Sequence, residues 1–385
     1  MPIFGTRRDM LAMTALGAVA AGTAPALGAA KGEAGMLIVN ALGGLENPNL
    51  ALTRKQSDNP VGVDQIDVDA RAIADAHASG VTAVNITLGY VGGPEDPYEY
   101  TIRTIGMWDD VLRAHPNDLM RVETAADILQ AKAQKKIGVI YGFQNAAMVG
   151  NDVSRIDTFA ALGVRIIQLT YNPANQLGDG SMAPQNRGLT DFGRDVVARL
   201  NEKRLMVDLS HSGQNTCLDA ARVSKSPISI NHTGCRALCD LPRNKTDEEL
   251  KLVASKGGFV GIYFMPFLTL DGHPHASDVV AHIEHAVNVC GEDAVGIGTD
   301  GDETGIDDLG AYQSFLEKQI ADRAKTGLGA TGERADTYPF VVDLRGPGQF
   351  HKLAEMLKAR GHSAARIEKI LGRNFLRFAQ DIWGS

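Results

Sequence analysis

The sequence predicts an α/β fold, a single (β/α)8 TIM-like barrel with extra C-terminal helices, and three observations predict it. From Met36 onward, short β-branched apolar runs alternate with amphipathic stretches of helical period, as repeated βα units around a parallel sheet require. Eight such runs precede residue 300, enough strands to close a barrel. No linker rich in Pro, Ser or charge divides the series, so residues 31–385 are expected to form one domain.

The first thirty residues are expected to lie outside that domain. Thr6-Arg7-Arg8-Asp9-Met10-Leu11 sets an arginine pair before an apolar, Ala-rich stretch, and Ala24, Ala26, Gly28 and Ala30 offer small residues for cleavage. This reads as a twin-arginine export signal over 1–30, which directs the chain to the periplasm. A general secretory signal or an uncleaved anchor, associating the protein with the membrane, shares the same pattern. The stretch is too diluted by Gly and Ala for a stable span.

Strands are expected over 36–41, 81–88, 137–143, 164–170, 205–209, 227–231, 259–264 and 294–298. Helices are expected between them over 67–78, 125–135, 190–203, 247–255 and 277–290. Beyond Asp300 the pattern turns mainly helical, over 309–325, 348–360 and 363–379, and these helices are expected to pack outside the barrel. A balance of 38 Lys and Arg against 46 Asp and Glu gives a net charge of -8. That disfavours nucleic acid and anionic lipid and leaves a small molecule as the expected partner. The oligomeric state is open, a homodimer being one option. Cys217, Cys235, Cys239 and Cys290 are too few and scattered for a disulfide framework. Cys235 and Cys239 lack the second pair that a zinc site would need, so free, buried or half-buried thiols are expected, with one bridge left open.

Barrels of this kind carry their chemistry at the carboxyl ends of the strands. Polar residues gather there. Gln144 follows the third expected strand, Tyr171 the fourth, His211 the fifth, His232 the sixth and Asp300 the eighth. Neutral imidazole is a good zinc ligand, and adjacent strands can aim two at one ion. A lone strand-end histidine is more often structural; the pairing of two makes the metal reading. Asp300 and Asp302 end the last strand in a glycine-rich turn, where a carboxylate can bind metal, handle a proton or cap the turn. The chemical role is assigned to Asp300 and the turn role to Asp302. His273 and His275 are expected on a surface loop, and His282 and His285 facing solvent.

The segments Gln168-Leu169-Thr170-Tyr171-Asn172, Gly188 through Gly193, Asp208-Leu209-Ser210-His211, His232 through Arg243-Asn244, Gly257 through Gly261, Gly298-Thr299-Asp300 and Gly372 through Arg377 resemble the signatures of the membrane (renal) dipeptidase family in order and spacing. The resemblance covers nearly all of the chain after the export signal. It implies a hydrolase that cleaves dipeptides with two zinc ions sharing a bridging carboxylate. On that template His211 and His232 correspond to the two histidines of one zinc, and Asp300 to the acid that handles the proton of the attacking water. Arg243 corresponds to the arginine that binds the substrate carboxylate. A surface or structural salt bridge is the bland alternative for Arg243. Tyr171 stands where some members place a histidine that polarises the scissile carbonyl; its phenol can still donate a hydrogen bond.

Two departures follow. The first strand of the family ends in His-x-Asp, whereas this chain reads Asn40-Ala41-Leu42-Gly43-Gly44. The bridging glutamate is Gln144, which has nearly the same shape but not the charge that holds two dications together. The expectation is therefore one ion, zinc or another divalent metal, on His211, His232 and Asp300, with Gln144 as a weak oxygen ligand. Two alternatives stay open: a metal-free pseudopeptidase that binds peptides or a partner protein, and altered chemistry on an amino-acid-derived metabolite.

Overall fold

A computed structural model describes residues 35–53 and 65–384; the expected export signal over 1–30 lies outside the described residues. Residues 36–385 form one compact unit. It contains a parallel sheet of nine strands, β1 (Val39–Gly43), β2 (Ala83–Leu88), β3 (Leu119–Val122), β4 (Ile137–Phe143), β5 (Val164–Gln168), β6 (Met206–Asp208), β7 (Ser229–Thr233), β8 (Phe259–Ile262) and β9 (Val295–Ile297). Eight run in the order β1-β2-β4-β5-β6-β7-β8-β9, the eight-stranded barrel expected. The residues after β9 return to β1: Asp300 N–H donates to Leu42 O at 2.9 Å and Gly44 N–H to Gly301 O at 3.0 Å.

The ninth strand, β3, was not expected. It pairs with the first half of β4, from Leu119 opposite Ile137 to Val122 opposite Ile140. On the same edge β5 takes the second half, Tyr141 to Phe143, because β2 occupies the other edge along its whole length. Four residues interrupted by Arg121 make too short a run to show a period. All seven residues of β4 are buried, as a parallel strand covered on both faces should be.

Helix ends follow local chemistry. Thr124 with Asp127, and Thr246 with Glu249, form reciprocal capping boxes at Ala125–Gln134 and Asp247–Ser255, satisfying backbone N–H groups that the first turn leaves orphaned. Asp308 caps Leu309–Lys325 through the Ala311 N–H. The helix expected over 363–379 is three pieces: Ala364–Glu368, a π-turn over Lys369–Arg373, and Asn374–Trp383. Within the π-turn Gly372 packs so closely on the chain leading into β1 that a Cβ there would collide with the Leu37 carbonyl. The last helix lays Phe375 and Phe378 against Phe259 at the start of β8, ring centroids 5.3 and 6.0 Å apart, in a cluster with Val39, Ala83 and Met206 near the amino ends of other strands. That end is sealed with apolar rings, and the polar side chains lie at the other. Among the described residues no helix is long and apolar enough to cross a membrane.

Candidate active site

Asp208 organises two neighbouring strand ends. Its Oδ1 accepts from the Ser210 N–H (3.0 Å), the Ser210 hydroxyl (2.5 Å) and the Asn231 N–H (2.9 Å). Ser210 Oγ in turn accepts from the His232 N–H at 3.0 Å. One buried carboxylate thus sets the turn that carries His211 and ties it to the strand that carries His232. On the far side of β7, Gly261 and Gly298 pack so closely on the Asn231 carbonyl that a Cβ at either would collide with it.

The two imidazole rings lie 4.9 Å apart. His211 Nδ1 is 2.7 Å from Asn172 Oδ1, and the Asn172 amide is oriented by its own donation to Leu328 O at 2.9 Å. An oxygen therefore faces Nδ1, which must carry the hydrogen, and Nε2 is left with a lone pair. Nε2 of His211 and both ring nitrogens of His232 are buried without a partner. Burial pushes both imidazoles well below their usual range, and the nearby Arg243 guanidinium pushes the same way. Both rings are neutral at pH 7 and able to donate lone pairs.

Asp300 sits beside them in a left-handed backbone conformation, φ 58°, which a non-glycine residue adopts only when its surroundings hold it there. Its Oδ2 is 4.0 Å from His232 Nε2, too far for a hydrogen bond. Burial raises its carboxyl to about 6, against the opposing pull of Arg243, Arg323 and a hydrogen bond from Gln144. Gln144 Nε2 also donates to Thr87 Oγ1 at 2.7 Å. Asp302 keeps its turn role: Oδ1 accepts from the Glu46 N–H at 3.0 Å.

Arg243 is 1% exposed. Its Nη1 donates to Ser210 O at 2.7 Å, and Nη2 has no partner, so the surface salt-bridge alternative does not describe it. Tyr171 stacks on His211 with centroids 4.2 Å apart and accepts at its phenol oxygen from Arg323 Nη1 at 3.3 Å. The structure thus brings His211, His232, Asp300, Gln144, Arg243 and Tyr171 to one end of the barrel. Sequence reading missed Arg323, Asn172 and Ser210. Ser210 and Asn172 lie inside quoted motifs and could have been flagged; Arg323 lies in an ordinary amphipathic helix.

Other histidines separate. His282 is buried, 1% exposed, which corrects the solvent-facing expectation: Nδ1 accepts from the Cys235 N–H at 2.8 Å and Nε2 lies 3.1 Å from Leu268 O. His285 is half-buried against Asp247 at 2.8 Å. His275 caps the helix Ala276–Cys290, and His273 stacks on Tyr338. All four cysteines are free.

The sequence profile of the membrane dipeptidases, peptidase family M19, matches residues 63–328. The chain belongs to this family. An uncharacterized protein in the pqqA 5' region of Klebsiella pneumoniae is 27% identical over 301 residues, 75% of this chain and 98% of that protein. The dipeptidase tcpJ of Claviceps purpurea is 29% identical over 286 residues, 73% of this chain, and the match spans only 60% of that relative's length. Among solved structures, an amidohydrolase from Pseudomonas aeruginosa is 31% identical with a TM-score of 0.75, covering 91% of this chain and 98% of that one. A Rhodobacter sphaeroides metallo peptidase liganded with a phosphinate mimic of the dipeptide L-Ala-D-Ala shares the fold, at 19% identity and a TM-score of 0.68, covering 90% of this chain and 99% of that one.

A membrane dipeptidase is a metallopeptidase, and the residues here fit that chemistry in part. Among the described residues, no three His, Cys, Asp or Glu side chains are grouped to hold an ion. Of the expected set of His211, His232 and Asp300, the Asp300 Oδ2 lies 4.0 Å from His232 Nε2. At the end of the first strand, Asn40 serves the barrel. Its Oδ1 accepts from the Thr299 N–H at 2.8 Å, and its Nδ2 donates to Thr299 Oγ1 at 2.8 Å and Glu303 Oε1 at 3.3 Å. A dinuclear centre does not fit. A single ion fits better, because His211 Nε2 and both ring nitrogens of His232 are buried with nothing else to bond, a state that normally costs a folded protein free energy, and each neutral ring has one lone pair to give an ion.

Proposed function

We propose that this chain hydrolyses a dipeptide or a related small amide, with one divalent ion, zinc foremost, held by His211 and His232. The carrying observation is the set of unpartnered imidazole nitrogens beside Asp300. When bound, the ion would supply Lewis-acid polarisation of the scissile carbonyl.

The side chains supply the rest. Arg243, with Nη2 free, binds the substrate's carboxylate, a group that a guanidinium fork recognises well. Tyr171 donates its phenolic hydrogen to the carbonyl oxygen: the Arg323 cation has only donors, so it occupies a lone pair of the phenol and leaves the O–H free. Asp300, near 6, takes a proton from the attacking water and returns it to the leaving amine, the pKa match that acid–base catalysis at neutral pH favours. Gln144 orients that carboxylate. The sequence's export signal makes the periplasm the proposed location, tested by sequencing the amino terminus of the periplasmic protein.

Elemental analysis of purified protein, with turnover of a dipeptide panel under added zinc, manganese and cobalt, tests the reading. One ion per chain with metal-dependent release of amino acids is expected. A folded wild type that cleaves nothing under any metal would replace it with the metal-free binding reading, which the lack of a three-ligand group favours.

A further inference from the structure

A cavity of about 230 Å³ opens beside Asp300 and Tyr171, far larger than the ~10–15 Å³ that one water needs. Its walls are Met265, Pro266 and Phe267 after β8, Leu316 and Ile320 of the helix Leu309–Lys325, and Pro339. The charges at its edge are already engaged. Arg323 pairs with Glu333 at 2.6 Å and Arg334 with Asp336 at 2.9 Å, and Gln319 and Thr337 are uncharged. Apart from Asp300, nothing there offers an unpaired charge to a charged side chain, and the apolar walls gain by excluding water.

We propose that this cavity is the subsite for a bulky apolar side chain of the dipeptide, and that Ile320 and Leu316 set the preference; the assignment rests on the dipeptidase reading. It follows from adjacency: Asp300 and Tyr171, the groups placed at the scissile amide, form its inner wall, so a side chain one bond from that amide enters it directly. Its outer wall comes from a helix that carries none of the quoted motif residues, so the wall can differ in shape while the chemistry stays the same.

The test compares Leu-Ala, Ala-Leu, Ala-Ala, Asp-Ala and Lys-Ala as substrates of wild type and Ile320→Trp. Ile320 is half-buried, so an indole there can fill the cavity without entering the core. Wild type should favour one leucine-containing peptide over Ala-Ala by at least about tenfold in kcat/KM, the usual value of apolar groups in a fitted pocket. Ile320→Trp should erase that preference, lowering kcat/KM for the leucine-containing peptide by at least about tenfold more than for Ala-Ala. A wild type that prefers Ala-Ala or a charged peptide, or a variant that slows all peptides equally, overturns the subsite. Calorimetric binding of the same peptides separates this from failure of the dipeptidase reading. If nothing is cleaved, a leucine preference in affinity that Ile320→Trp abolishes still supports the subsite, and equal affinities or no binding overturn it.

Discussion

Arg323 Nη1 donates to the phenol oxygen of Tyr171 at 3.3 Å, while the same guanidinium is held by Glu333 through contacts of 2.6 to 3.2 Å. Tyr171 is fixed on its other side by the His211 ring. Tyr171→Phe should therefore lower kcat by about 10²-fold with little change in KM, the range for losing one donor to a developing oxyanion. Arg323→Met should reproduce most of that loss. Steady-state kinetics on a cleaved dipeptide check both, with thermal melts to confirm folding.

His211→Ala and His232→Ala should each release the metal and abolish turnover, since one imidazole does not retain a dication. Elemental analysis of each purified variant is the readout, and retention of a full equivalent of metal by either would contradict the assignment.

Asp300→Asn should keep the fold and slow the chemical step by roughly two to four orders of magnitude, as loss of a positioned acid–base group does. Arg243→Ala should act on binding instead. It should raise KM for dipeptides with a free carboxyl terminus and leave their C-terminal amides nearly unchanged, because only the former present the carboxylate that Nη2 is free to bind. Parallel assays on a dipeptide and its amide check this.

Glu303 predicts a pH dependence of stability. Burial raises its carboxyl from 4.5 to about 8, against hydrogen bonds from Asn40 and Gln349. The folded state therefore holds a proton that the unfolded state has released between these values. Its contribution to stability is fully present below about 4.5, falls as pH rises and is gone above about 8. Glu303→Gln should flatten this part of the profile, so the variant gains on wild type between pH 5 and 9 in denaturant titrations. Parallel curves for the two proteins would show that Glu303 does not titrate there.

Gly298→Ala should destabilise the protein by about 1–3 kcal/mol, the usual cost of overpacking, because its Cβ meets the Asn231 carbonyl next to His232. Chemical denaturation measures the loss, and metal content should fall with it.

The strand-end positions of Gln144, Tyr171, His211, His232 and Asp300 were legible because a parallel strand buried on both faces writes itself as an apolar run, and the polar residue that ends it stands out. The family resemblance, too, is carried by local motifs. β3 was not legible, since four residues around Arg121 carry no period. His282 was misplaced because its helical spacing does not reveal that the Cys235 backbone and Leu268 carbonyl wait for its ring.

By itself, the sequence determined the α/β barrel, the end of it where the polar strand-end residues gather, and the departures from the family's metal ligands at Leu42, Gly44 and Gln144; all of these are read from single segments. Only the tertiary structure decided that Asn40 ties β1 to Thr299, that Arg323 reaches Tyr171 across 152 residues of chain, and that Asp300 stands 4.0 Å from His232. Those relations join segments far apart in sequence, and their distances are set by packing of the whole barrel, which no local pattern encodes.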